Sequence, residues 1–251
     1  MNPVLWKSRL GEKYRRAINY ALEKYTSDAD FSKEPSFFPE MGNSSNYCIS
    51  NVFSDSIILT SHDQSEKSCL KLLVFCFKLT RTMMAQGFLV RGGIAYGDMF
   101  VDQTNSVFVG KALTVAYELE SRQEWAGIII ESSVTNEFPQ IFDGSLKYGG
   151  YLQYLFVKYC VPMKRGSVSE EYCINWRWNL IAEKGTQSLL GSPTEWSAKT
   201  KTENTLKFAK YIREAPLAYP SDQSDCPIEI RSMYVAEGEP GEVMPRHGDE
   251  Y

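Results

Sequence analysis

The run Asn51-Val-Phe-Ser-Asp-Ser-Ile-Ile-Leu-Thr60 constrains this chain more than any other segment. Its apolar, β-favouring residues ask for a place in a sheet, yet Asp55 sits in their middle. A carboxylate taken into a core costs several kcal/mol unless something pairs with it. A divalent cation is a usual partner for an acid exposed at a strand end, and the Ser56 carbonyl oxygen would serve it as a further hard ligand. The plainer alternative is an acid that closes the strand by bonding a neighbouring backbone or an Arg.

The pattern around this run predicts strands and helices in alternation. Leu10, Tyr14, Ile18 and Leu22 recur at a helical period over 7–25. Residues 28–45, rich in Ser, Pro and Asn, read as a loop. A strand is expected over 47–60. The acids of His62-Asp-Gln-Ser-Glu66 favour a helix start, and Leu70, Leu73, Val74, Phe77, Leu79 and Met83 carry that helix to Gly87. Phe88–Gly97 reads as a second strand, which 98–109 continue through a turn at the polar Asp102-Gln-Thr-Asn105. A helix over 111–124, opened by Gly110, and a short buried strand over 127–132 follow.

The order β-α-β-β-α-β is the split βαβ, ferredoxin-like unit, so the expected fold class is α+β. Tyr151–Val161 and Tyr172–Ile181 are aromatic-rich strand candidates. A helix over 193–215 has Ser192 as N-cap and Glu195 three residues on, a capping box. The domain plan is an N-terminal helix and loop (1–45), a main domain (46–215) and a Pro-, Gly- and acid-rich tail (216–251).

Composition narrows the function. With 43% hydrophobic and 23% charged residues the chain is built to fold. Its net charge of −4 argues against a nucleic-acid coat protein but not against a nucleotide substrate. Two histidines, His62 and His247, and six scattered cysteines without a CxxC pair make zinc chemistry and a Ser-His-Asp triad poor choices. No run approaches roughly 18 apolar residues, and the first residues lack the apolar stretch of a signal peptide. A cytoplasmic protein with reduced thiols is the expectation.

Four other positions bear on chemistry. Asp98 follows Gly97 at a strand end, where its plain role is turn chemistry; Asp102 is its competitor as a second acidic ligand. Strand, helix, strand and turn-with-acid is the layout by which palm-type nucleotidyl-transfer domains bring two aspartates to one metal pair. Arg91, beside Gly92-Gly93, needs an ion-pair partner or a phosphate or base to contact. Tyr47 stands near the start of the first strand, as a core residue or as the wall of a pocket. Trp176-Arg177-Trp178 lacks a basic surround and reads as core.

These residues carry a resemblance. Phe53-Ser-Asp55-Ser-Ile-Ile resembles the metal-binding strand of class III nucleotide cyclases, and Val90-Arg-Gly-Gly-Ile-Ala-Tyr-Gly97 their Arg-x-Gly-Ile-x-x-Gly strand. Val109–Ser121 and Ala126–Ser132 resemble the helix and strand that follow. The likeness spans roughly residues 47–134. It departs at Thr114 and Glu118, where such cyclases carry an Asn and an Arg. The short form, with Arg-Gly-Gly-Ile and Ala-Tyr-Glu-Leu-Glu, is most similar to the pyrimidine cyclases of bacterial anti-phage (Pycsar) systems; Asn175-Trp176 and Asn204–Phe208 fit that subfamily too.

The resemblance implies a palm-type cyclase core and a homodimer that converts UTP or CTP to cyclic UMP or cyclic CMP plus pyrophosphate, the product acting on a separate effector protein. It implies two Mn2+ or Mg2+ ions held by Asp55, Asp98 and the Ser56 carbonyl, with Asp102 as the alternative to Asp98. Tyr47, Phe53 and Arg91 would meet the substrate. No nucleic acid or membrane partner is implied. A purine cyclase, a non-catalytic nucleotide-binding module and an interaction scaffold are the other readings.

Overall fold

Three consecutive isoleucines, Ile128–Ile130, organise the core, because their side chains alternate between two separate clusters. The computed structural model describes Arg16, Asn19 and residues 48–53, 56–85, 88–143, 155–165, 168–176 and 196–214. In chain order these form β1 (Ile49–Phe53), β2 (Ser56–Thr60), α1 (Glu66–Ala85), β3 (Gly92–Ile94), β4 (Met99–Asp102), β5 (Val107–Gly110) and α2 (Lys111–Arg122). Then come β6 (Ile128–Ile130), α3 (Ser132–Glu137), α4 (Pro139–Phe142), β7 (Phe156–Val161), β8 (Ser169–Ile174) and α5 (Trp196–Glu214). The architecture is mixed α and β.

The main sheet has the order β3-β6-β8-β7, parallel between β3 and β6 and antiparallel elsewhere. On one face Ile128, Ile130 and Ile174 pack with Leu70, Leu73 and Phe77 of α1 and with α3 and α4. On the other, Ile129 and Cys173 pack with Trp125, Trp176 and the α5 residues Phe208 and Ile212. Covered on both faces, β6 loses the alternation of a half-exposed strand and reads as an apolar run. A further face of α1, with Phe75, Leu79 and Met83, meets Cys48, Ile57, Leu59 and Val90. That multiple contact explains why α1 is apolar nearly all round.

Several expectations are corrected. The strand expected over 47–60 is two strands, paired antiparallel with Phe53 opposite Ser56. Only Ser54 and Asp55, residue types that favour turns, separate them, so the acid falls between two strands and not inside one. The strand expected over 88–97 is three residues long, because Phe88 and Val90 pack against α1 instead of pairing. Strands β4 and β5 form a two-stranded sheet of their own and do not continue the main one. Helix α1 starts at Glu66, not at 62: the Ser65 hydroxyl accepts from the Ser68 amide, while Asp63 accepts from Ser65.

Of the helix expected over 7–25, Arg16 and Asn19 are described, and both are helical. The capping pair Ser192 and Glu195 and the tail 216–251 lie outside the described residues. Among the described residues no helix is long and apolar enough to cross a membrane.

Helix α2 lies against β3 at Gly93. A Cβ there would stand 2.6 Å from the Ala116 carbonyl oxygen and 2.8 Å from the Leu119 Cβ. Gly93→Ala should lower stability by about 1–3 kcal/mol, the usual cost of overpacking, read as a lower urea midpoint. An unchanged midpoint would mean that α2 can shift freely.

Three acids are held below their ordinary values at caps and turns. Hydrogen bonds from Ser65 and then Ser68 bring Asp63 to about 2. The Asn105 side chain, then its backbone, lowers Asp102. At Glu131 burial pushes upward, but bonds from Ser133 and Ser132 outweigh it and leave the group lowered. A depressed value in the folded state means stability that is complete above the ordinary acid values, 3.8 for Asp and 4.5 for Glu, and lost as pH falls through the folded ones. The unfolding free energy should therefore decline below about pH 4.5 and go on declining towards pH 2. Glu131→Gln should flatten the upper part of that decline in urea titrations at stepped pH.

Candidate functional site

A cleft of about 1400 Å3 opens between β2, α1, the segment 89–97 and α2. Ser56 and Arg91 both line it, and so do Gly97 and Met99 on either side of Asp98. Phe53 stands apart from the lining, half-exposed, with its ring edge-on to Phe108 of β5 at 6.2 Å. Tyr47 and Asp55 lie outside the described residues.

Asp98 occupies the base of the β4–β5 hairpin. Its carbonyl oxygen accepts from the Ala112 amide at 3.4 Å, in the first turn of α2. Gly110, the N-cap residue of that helix, makes this approach possible: a Cβ on it would sit 2.2 Å from the same carbonyl oxygen. The Asp98 carboxylate is exposed and takes no hydrogen bond from a described residue.

Asp102 is placed differently. It ends β4, and both its oxygens are engaged by Asn105: the backbone amide at 3.1 Å and the side-chain amide at 2.7 Å. Four residues of extended chain, roughly 13 Å, separate it from Asp98. Neither aspartate lines the cleft itself: Asp98 lies between the lining residues Gly97 and Met99, and Asp102, next to the lining Val101, closes the hairpin turn.

Arg91 is held on one side of the cleft. Its Nε donates to Glu120 Oε1 at 2.5 Å, its Nη2 pairs with the same oxygen, and its Nη1 donates to the Gln123 carbonyl at 3.3 Å. The two side chains are 25% and 29% exposed, so the pair is screened but not buried. Glu120 was not singled out from the sequence. In Ala-Tyr-Glu-Leu-Glu the helical period sends Leu119 inward and Glu118 outward, and only the position of Arg91 on another element marks Glu120.

Gln123 fixes this corner. Fully buried, its side-chain amide donates to the Gly92 carbonyl at 2.8 Å and to the Leu119 carbonyl at 2.9 Å, and its oxygen accepts from Trp125 Nε1 at 2.9 Å. On the next segment, Ala126 donates its amide to the Thr205 hydroxyl at 2.8 Å, and Asn204 donates to the Glu124 carbonyl at 2.9 Å. Asn204 and Thr205 dock α5 onto the main sheet, and Trp176 is core.

Thr114 and Glu118 are exposed on α2, and Thr114 is among the residues that line the cleft. Among the described residues no three His, Cys, Asp or Glu side chains converge as a metal site. The five described cysteines are free; burial pushes the thiols of Cys48 and Cys69 up to about 12 and raises Cys76 and Cys173 too, so none of these four is a ready nucleophile. No family model, curated protein or solved structure matches the chain.

Gln123→Leu keeps the volume and removes the amide, leaving Trp125 Nε1 and the Gly92 carbonyl buried without their partner. Stability should fall by about 2–4 kcal/mol, given the usual cost of unsatisfied buried groups. A calorimetric unfolding curve of the variant that overlays wild type would remove Gln123 from its role.

Proposed function

We propose that the chain is a nucleotide cyclase that turns a pyrimidine nucleoside triphosphate into its cyclic monophosphate and pyrophosphate. The observation that carries this reading is the exposed carboxylate of Asp98 at the base of the hairpin, between two residues of a cleft that takes in the start of β2 and the Arg91–Glu120 pair. We read the core as a palm-type, ferredoxin-like unit; the parallel pair β3–β6, joined through α2, is the part of the architecture in favour.

The chemistry is attack by the ribose 3′-oxygen on the α-phosphorus, with pyrophosphate leaving from the opposite side. Two divalent cations, Mg2+ or Mn2+, would supply charge neutralisation on the triphosphate and a more acidic 3′-hydroxyl. The donor set suits hard cations: Asp98 and Asp55 as carboxylates and Ser56 through its carbonyl oxygen. The chain's own work is then positioning. Helix α2, fixed at one end by Asp98 and at the other by Gln123, forms one wall along which the substrate lies. A cytoplasmic homodimer is part of the reading, its product acting on a separate effector. Phe100 and Val109, cross-strand neighbours 63% and 60% exposed, offer a second copy apolar surface to bury.

A second reading has its own support. Thr114 and Glu118 stand where such cyclases carry the Asn and Arg that hold the triphosphate, so a module that binds nucleotide without turnover is the alternative.

The test is incubation of the purified chain with CTP, UTP, ATP and GTP plus Mn2+, with products identified by mass spectrometry. A cyclic pyrimidine monophosphate is expected. Asp55→Ala and Asp98→Ala should abolish it, whereas Asp102→Ala should retain it. Binding without any product would favour the non-catalytic module. Cyclic AMP or cyclic GMP alone would make the protein a purine cyclase.

A further inference from the structure

We propose that Glu120 reads the base and that it selects cytosine over uracil. The inference rests on the cyclase reading above and names its substrate as CTP.

Two acids described in this structure line the cleft, Asp63 and Glu120. Asp63 is occupied at the start of α1, where its Oδ1 accepts from both the amide and the hydroxyl of Ser65. Glu120 is different. Both Arg91 nitrogens that reach it fall on Oε1, and no described residue donates to Oε2. The side chain is thus fixed by one oxygen and free to accept with the other.

Its position along α2 fits a base. Ala112, whose amide meets the Asp98 carbonyl, is eight residues before Glu120. At 1.5 Å per residue that is roughly 12 Å of helix. A nucleotide laid along α2 with its phosphates at Asp98 carries its base towards the Arg91–Glu120 pair. Arg91 itself is spent on Glu120 and on the Gln123 carbonyl, so its part is to hold the carboxylate in place, as a positioning residue.

The discrimination is a matter of donors and acceptors. The exocyclic amine of cytosine donates, and a Glu oxygen is a natural acceptor for it. Uracil presents a carbonyl at the same position, so a carboxylate there faces a second acceptor. That mismatch repels the wrong base as well as failing to bind it. Adenine also carries an amine, so the competition below includes ATP.

The experiment measures turnover and binding separately. Wild type, Glu120→Gln and Glu120→Asp are each given equimolar CTP, UTP and ATP with Mn2+, and CTP and UTP are titrated calorimetrically with Ca2+ in place of Mn2+. Circular dichroism melts establish that each variant is folded. Wild type should favour CTP over UTP at least about tenfold, and Glu120→Gln, which can still accept from Arg91, should cut that ratio by about ten- to a hundredfold. Glu120→Asp should restore part of it, which a purely structural ion pair would not do. Equal use of CTP and UTP by wild type, a preference for UTP or for ATP, or a ratio unchanged in folded Glu120→Gln would overturn the assignment. If no nucleotide is cyclised, the cyclase reading fails; a CTP preference in binding that Glu120→Gln removes would still support Glu120 as the base reader.

Discussion

The buried amide of Gln123 is the interaction on which this corner of the molecule depends. One side chain ties the last turn of α2 to the backbone of β3 and to the indole of Trp125, just ahead of β6. Its own carbonyl receives Arg91. A primary amide suits the place because it both donates and accepts, and here both its N–H groups and its oxygen are engaged inside the protein. An apolar residue would pack equally well but would leave a carbonyl and an indole N–H without water or partner. Strand β3 has three residues and little pairing of its own, so its place beside β6 owes much to this bond and to the contact of Gly93 with α2.

How much of this was legible follows from how local each signal is. Helix α1 and strand β6 were legible because one carries a long apolar period and the other a short apolar run. The start of α1 was misplaced because His62-Asp63 looks like an acidic first turn, whereas Asp63 organises the turn ahead of the Ser65 cap. The chain reversal between Phe53 and Ser56 was hidden by apolar residues on both sides of a two-residue interruption. Two five-residue strands and one long strand have the same composition there. The separate β4–β5 sheet was missed for another reason: whether a hairpin joins the main sheet depends on which edge it meets, and nothing in its own residues records that.

The candidate site divides along the same line. Asp98 was legible as an acid after a glycine, whereas the engagement of both Asp102 oxygens by Asn105 showed only in the structure. Asn105 is three residues away from Asp102, yet a polar Asp-Gln-Thr-Asn turn reads alike whether the acid closes the turn or turns outward. Arg91 was legible as a cation in need of a partner. That the partner is Glu120, 29 residues away, is a long-range fact, since it requires α2 to lie against β3 in one orientation.

That orientation is what makes the site a unit. Gly110 allows Asp98 to touch the N-terminus of α2, Gly93 allows the middle of the helix to lie on β3, and Gln123 locks its last turn. Three contacts along one short helix fix the distance between the acid at its start and the carboxylate near its end. The hairpin that carries Asp98 runs directly into α2 through Gly110, so it cannot move far without the helix. If the cleft takes a nucleotide as proposed, the separation between its phosphate end and its base end must not drift, because misplacement of an ångström is costly in rate. A rigid helix pinned at both ends gives that more simply than two loops would. The two glycines and the buried glutamine, none of them chemically reactive, therefore set the geometry of the candidate site in which the two acids stand.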